Sequence, residues 1–253
     1  MTKLGFQLYS ARNYQPFSAI FKKLAAAGYS EVEGYGVLYN DLDEAGLLRL
    51  ASDLQTIGLS MPSGHFSLDM LEQESERVLE IAAALKMDSI FCPFLPEEAR
   101  PLTGAGWKAF GERLQAAGKP YREAGYIFGW HNHAYEFEPL ADGSAPMTHL
   151  MAGGPELSWE ADIAWVIRGG GDPYFWIEFL KERITAVHVK DIAEDGENED
   201  EDGWADVGDG TVDWPGLMKV LRQMPVRHYV VEHDNPNDID RMLERSSAAF
   251  RKF

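Results

Sequence analysis

One cysteine, Cys92, is the whole thiol content of this 253-residue chain. No internal disulfide can form, and a reducing compartment fits. Positive charge is also scarce. Lys and Arg number 23 against 41 Asp and Glu, a net charge of −18. Nucleic-acid binding runs on Lys and Arg displacing counterions, so a nucleic-acid partner is excluded as an expectation, and so is an anionic membrane surface. No apolar run approaches the roughly 18 residues of a membrane span. Met1 to Tyr9 runs straight into a strand-like segment without a basic-then-apolar leader, so a cytoplasmic protein is expected. An early glycine-rich phosphate loop is missing too, which argues against an open doubly wound dinucleotide fold. The late run Gly169-Gly170-Gly171 leads into Asp172-Pro173 and reads as a turn into a helix.

What is present is a globular composition, 45% hydrophobic and 25% charged, patterned as eight alternating strand and helix segments. The strands are read at residues 4–9, 31–33, 59–64, 89–92, 126–132, 157–162, 184–189 and 228–232. The helices are read at 17–27, 41–57, 68–85, 106–124, 146–151, 173–180, 214–224 and 237–250, with Gly28 and Gly58 placed as C-caps. Eight βα units in this length predict a single α/β domain over 1–253, a (β/α)₈ TIM barrel, with an acidic loop at about 191–210. Residues 194–202 hold seven carboxylates in nine positions but lack the ordered spacing of a calcium loop, so they read as a solvated loop.

Barrel chemistry collects at the C-terminal ends of strands, so ligands from successive strands recur at the βα period. Glu136 to Asp162 and Asp162 to His188 are each 26 residues apart, and Glu232 follows after the acidic loop. These four are predicted to hold one divalent cation, Mn²⁺ foremost, with Mg²⁺, Co²⁺, Fe²⁺ or Zn²⁺ as alternatives. The corner at His131-Asn132-His133 stays open: His131 or His133 could ligate in place of Glu136, or serve as acid or base. Glu160 shares a face with Asp162 by the two-residue period but is expected to be dispensable for the metal. Glu33, His65, His131 and Lys190 are the expected substrate contacts. His233 and Asp234 are expected to face away from the site.

Several of these segments resemble the xylose-isomerase-like barrels known as sugar phosphate isomerases/epimerases. The similarity is carried by Gly5-Phe6-Gln7-Leu8-Tyr9-Ser10-Ala11-Arg12, His131-Asn132-His133 with Tyr135-Glu136-Phe137, and Asp162 with Trp165 and Gly170-Gly171-Asp172-Pro173. It continues through His188-Val189-Lys190-Asp191, residues 207–214 and Val231-Glu232-His233-Asp234. The resemblance implies a Glu, Asp, His, Glu ligand set, which falls on Glu136, Asp162, His188 and Glu232. Ketose 3-epimerases of the superfamily carry their first ligand earlier on strand five, at a position similar to Gly129 or Trp130, where this chain has none. The implied activity is isomerisation or epimerisation of a sugar or keto-sugar through a metal-stabilised enediolate, with His133, Glu136 or Glu232 as base and Lys190 as oxyanion donor. A dehydratase or lyase acting on an inosose or 3-keto-glycoside is the alternative. An endonuclease IV-type activity would need more ligands and a basic surface, and a binding barrel without chemistry would hold no stoichiometric metal. A small sugar is thus the expected partner, and a homo-oligomer is compatible with the chain. The strong negative charge argues for an unphosphorylated substrate.

Overall fold

The computed structural model describes residues 3–253. Met1 and Thr2, on which the reading of a leaderless start partly rests, lie outside the described residues. The strands are β1 (Gly5–Phe6), β2 (Glu31–Gly34), β3 (Ser60–His65), β4 (Ser89–Cys92), β5 (Ile127–His131), β6 (Ser158–Asp162) and β7 (Ile184–Val189), then β8 (Asp191–Ile192), β9 (Trp204–Ala205) and β10 (His228–Val231). Eight of them form one sheet in the order β1-β10-β7-β6-β5-β4-β3-β2, every pair parallel. A parallel Gln7–Glu33 bridge joins β1 toward β2, so the sheet is a nearly closed TIM barrel. β8 and β9 make a small antiparallel hairpin beside it. Among the described residues no helix is long and apolar enough to cross a membrane.

Strand parity sorts the side chains. Phe6, Val32, Ile90, Trp130, Trp159, Ala161, Val187, Val189 and Val231 join the apolar core shared with the surrounding helices. Their alternates, Gln7, Glu33, His131, Glu160, Asp162 and His188, fall on the other face, toward the axis. They are buried as well. Barrel interiors are usually filled by branched apolar residues, so a polar interior is the fold's first departure from what stability alone asks for.

The helix Phe17–Ala27 ends at Gly28 and the helix Glu44–Ile57 at Gly58, both glycines left-handed with φ of 86° and 88°. That is the C-cap geometry glycine adopts without a Cβ penalty. Two predicted helices are each broken in two. The segment 68–85 forms Leu68–Gln73 and Ser75–Leu85, interrupted where Glu74 leaves helical geometry at φ −127°, ψ 39°. The segment 106–124 forms Gly104–Ala117 and Lys119–Glu123, because Pro120 has no N–H to continue a helix but suits the start of one. The short helix Pro146–Gly153 presses on Gly104–Ala117 through glycines. A Cβ at Gly111 would stand 2.0 Å from the Leu150 carbonyl oxygen, and one at Gly153 2.0 Å from that of Lys108.

Candidate functional site

The polar interior is stacked in two linked tiers. In the deeper one, the Gln7 side-chain amide donates to Glu33 Oε1 (2.8 Å). The same oxygen lies 2.7 Å from His188 Nε2 and 3.2 Å from His65 Nε2. His65 Nε2 also meets Glu160 Oε2 at 2.6 Å. In the upper tier the other imidazole nitrogen, His188 Nδ1, lies 3.0 Å from Glu232 Oε2 and 3.9 Å from Asp162 Oδ2. Lys190 Nζ donates to Asp234 Oδ2 (2.8 Å) and stands 3.2 Å from Glu232 and 3.5 Å from Asp162. Parallel register makes this possible, since it sets Asp162 beside His188 and His131 beside Glu160.

Charge is settled by competition between burial and neighbours. Burial alone would discharge His65, yet the Glu33 and Glu160 carboxylates carry its pKa up to about 10. His188 is likewise pushed up, against burial, by Glu160, Glu232 and Glu33. Burial raises Asp162 to about 6, with Lys190 and His188 opposing. Glu232 goes the other way: Lys190 and His188 overcome its burial and hold it ionised. His131 is driven down by burial and by the positive neighbours His188 and His65, so it is a neutral imidazole. His133 is lowered to about 3 by burial, with Lys190 adding to the effect.

Two overlapping groups bring ligand atoms within 4.8 Å of one another: His131, Asp162, His188 and Glu232, and His65, His131, Glu160 and His188. Asp162, His188 and Glu232 thus come together as the sequence reading expects, and the fourth partner there is His131. Glu136 stands apart. After His131 the chain leaves the sheet and turns, and Glu136 folds back to accept from the Trp130 indole (2.8 Å) and the His133 backbone N–H (2.9 Å). Trp130 belongs to the outer core, so Glu136 lies off the axis with both oxygens engaged, and burial lifts its pKa to about 8. Glu160, expected to be dispensable, falls inside the second group. Its face-sharing with Asp162 was the available signal.

Asn132 is given no role by the sequence reading. Its carbonyl accepts from the Trp159 indole (2.7 Å) and from Asp162 N (3.0 Å), while its amide donates to the Asp162 carbonyl (3.0 Å). It clamps Asp162 in place from the neighbouring strand end. One Asp162 oxygen caps the helix Ile163–Arg168 at Trp165 N (3.0 Å). The other, Oδ2, has no hydrogen-bond partner, so capping the helix leaves one Asp162 oxygen free for a ligand. Asp234, expected to face away, holds Lys190 and lines the cavity. Asp191 is a loop anchor, accepting from Ile192, Gly208 and Val212 backbone N–H groups.

Above these tiers is a cavity of about 870 Å³ whose floor includes His65, His131, His133, Glu232 and Asp234. Lys190 and Glu33 are wholly buried. Of the residues expected to touch substrate, His65 and His131 therefore have the direct exposure. The donor set meets the chemical demands of a divalent cation: two carboxylates and two imidazoles, fully buried or nearly so. Asp162 Oδ2, His131 Nδ1, Glu160 Oε1 and Glu33 Oε2 have no hydrogen-bond partner; the first three have charged or ionisable neighbours only at 3.5 Å (Lys190), 3.3 Å (Glu160) and 3.6 Å (His188). With His131 rather than Glu136 beside Asp162, His188 and Glu232, the donor set carries a second imidazole, a donor that suits Zn²⁺ or Fe²⁺ while the carboxylates suit Mn²⁺.

Residues 21–253 match the family described as xylose isomerase-like TIM barrel. Among proteins with curated descriptions, none matches this sequence. Solved structures share the fold. A sugar phosphate isomerase/epimerase from Parabacteroides distasonis superposes with a TM-score of 0.77 at 23% identity, covering 98% of this chain and 92% of that one. A probable 3-DHS dehydratase involved in petrobactin synthesis, from Bacillus anthracis, gives 0.75 at 16% identity with 99% of both chains covered. A D-psicose 3-epimerase gives 0.71 at 14%, covering 99% of this chain and 98% of that one.

Proposed function

Because the chain belongs to the xylose isomerase-like TIM barrel family, we propose that it is a divalent-metal-dependent isomerase or epimerase acting on a sugar or keto-sugar. The observation that carries the reading is the buried group His131, Asp162, His188 and Glu232, whose ligand atoms lie within 4.8 Å of one another and in which Asp162 Oδ2 and His131 Nδ1 have no hydrogen-bond partner. Orphaned buried polar atoms are costly and rare in a folded protein, and a cation in this group would satisfy both. His131, Asp162, His188 and Glu232 would hold it. When bound, it supplies Lewis acidity to adjacent carbonyl and hydroxyl oxygens of the sugar and spreads the charge of an enediolate.

The chain's own groups do the rest. Glu232 is ionised and lines the cavity, so it is the base that takes the proton from the carbon next to the carbonyl. Neutral His133, also on the floor, is placed to hydrogen-bond a hydroxyl. Lys190 helps hold Glu232 ionised and orients Asp234. Return of the proton to the same carbon gives an epimer; return to its neighbour gives an isomer.

A dehydratase or lyase on an inosose or 3-keto-glycoside is the second reading. It is favoured by an imidazolium, His65, and a carboxylate, Glu232, both lining the cavity, since expelling a β-hydroxyl needs an acid as well as a base. The test is incubation with Mn²⁺ in D₂O against a panel of ketoses, inososes and 3-keto-glycosides. Deuterium should enter at the carbon next to the carbonyl, and Glu232→Gln should abolish its entry. A protein that binds no stoichiometric divalent metal and exchanges no carbon-bound hydrogen is not this enzyme.

A further inference from the structure

The cavity is two-sided in chemistry. Its imidazoles and its innermost carboxylates come from the ends of β3, β5 and β10, whereas the segments after β1, β2 and β4 present Tyr9, Tyr35, Val37 and Phe94. Leu68, after β3, and Trp165, after β6, extend this apolar wall. Tyr9 and Tyr35 meet edge to face at 5.6 Å, and the Phe94 ring stands edge-on to His133 at 5.9 Å. Three of these side chains face solvent: Tyr9 is 39% exposed, Phe94 46% and Val37 74%.

At about 870 Å³ the cavity falls in the range of drug-sized ligand sites and leaves room beside a sugar ring. The wall does not suit a phosphate. Of the two guanidinium groups lining the cavity, Arg113 is bound through two nitrogens to Glu72. Arg12 donates to the Tyr9 and Asp234 carbonyls and covers the Tyr9 ring at 4.0 Å. Asp69, Asp202, Asp234 and Glu232 also line the space and repel an anion.

We propose that the substrate is a sugar carrying an apolar ring substituent, with the sugar oxygens over the His131, Asp162, His188 and Glu232 end and the substituent on the Tyr9, Tyr35, Val37 and Phe94 shelf. The proposal rests on the sugar-directed reading above and names the substrate class within it. Aromatic shelves of this kind bind a ring face through area burial and offset stacking, so recognition of the substituent does not require the cation.

The experiment is isothermal titration of metal-free protein with paired methyl and phenyl β-glycosides of glucose and galactose, repeated after adding Mn²⁺. The phenyl partner of at least one pair should bind about tenfold more tightly, the size of one good aromatic contact. Phe94→Ala and Tyr9→Ala should each erase most of that ratio while lowering the thermal melt by only a few degrees, since both side chains are partly exposed. Equal affinities within both pairs, failure of both phenyl glycosides to bind at millimolar concentration, or a phenyl preference that survives both substitutions overturns the shelf. Mn²⁺ binding without a phenyl preference removes the shelf and leaves the metal reading; a phenyl preference without Mn²⁺ binding does the reverse.

Discussion

Lys190→Met isolates the electrostatic logic of this barrel. The ammonium is fully buried, 2.8 Å from Asp234, 3.2 Å from Glu232 and 3.5 Å from Asp162. Burial works to discharge it, but the three carboxylates hold its pKa well above the usual lysine value. Removing one partner of a buried ion pair while leaving the other costs about 3–5 kcal/mol. The abandoned carboxylates have one escape, which is to take up a proton. At pH 7, protonating a carboxyl whose unfolded pKa is near 4 costs about 4 kcal/mol, so the escape brings little relief; at pH 5 it costs about 1.5 kcal/mol. The sign follows. In the variant these carboxyls have folded pKa values raised above the unfolded ones, so stability relative to wild type is lost as pH rises. Thermal denaturation of both proteins should show a loss of roughly 10 °C at pH 7 for a chain of this size, and less than half of that at pH 5. Asp234→Asn in the same background should recover part of the pH 7 loss. A penalty below about 1 kcal/mol at pH 7, or one that grows on acidification, would refute the reasoning.

Other outcomes follow from the same geometry. Glu232→Ala and His131→Ala should each abolish stoichiometric Mn²⁺ binding by calorimetry, whereas Glu136→Gln should retain it and cost about 1–3 kcal/mol in a denaturant titration through its Trp130 and His133 bonds. Metal binding that is lost with Glu136 and kept with His131 reverses the assignment. At the opposite end of the barrel, burial would lower His228, yet Asp88 and Glu31 carry it up to about 9. Its contribution is therefore complete below pH 6.5 and disappears as pH rises through 9, so the stability gap between wild type and His228→Gln should close between pH 6 and pH 10 in parallel melts. Gly111→Ala should destabilise by about 1–3 kcal/mol, because its methyl would meet the Leu150 carbonyl. An unchanged melting temperature means the two helices can separate at no cost.

Alternation of eight apolar strands with glycine-capped helices is a local property, and the chain spells it out. β4 and β7, and the helix Phe17–Ala27 with its Gly28 cap, lie where hydrophobic periodicity puts them. The barrel follows from counting the units. Asp162, His188 and Glu232 were legible for the same reason, since each ends a strand and parallel register aligns such ends. Breaks at Glu74 and Gly118 were less visible: only the second is flagged, by Pro120, and the first has no glycine or proline at all.

The strand-five corner was decided by tertiary structure. Period-two reasoning runs only while the strand lasts, and β5 ends at His131. Whether Glu136 then reaches the axis or folds outward depends on what receives its carboxylate, and that is an indole on the far face of its own strand, Trp130. The roles of Asn132, Glu160 and Asp234 are of the same kind, each set by a partner 27 to 95 residues away across the barrel. Composition and periodicity determined that this chain makes a barrel and rims it with carboxylates and imidazoles. Which of those groups share one cation-sized volume was left to the closing of the sheet, because distances among side chains on five different strands exist only once those strands have paired.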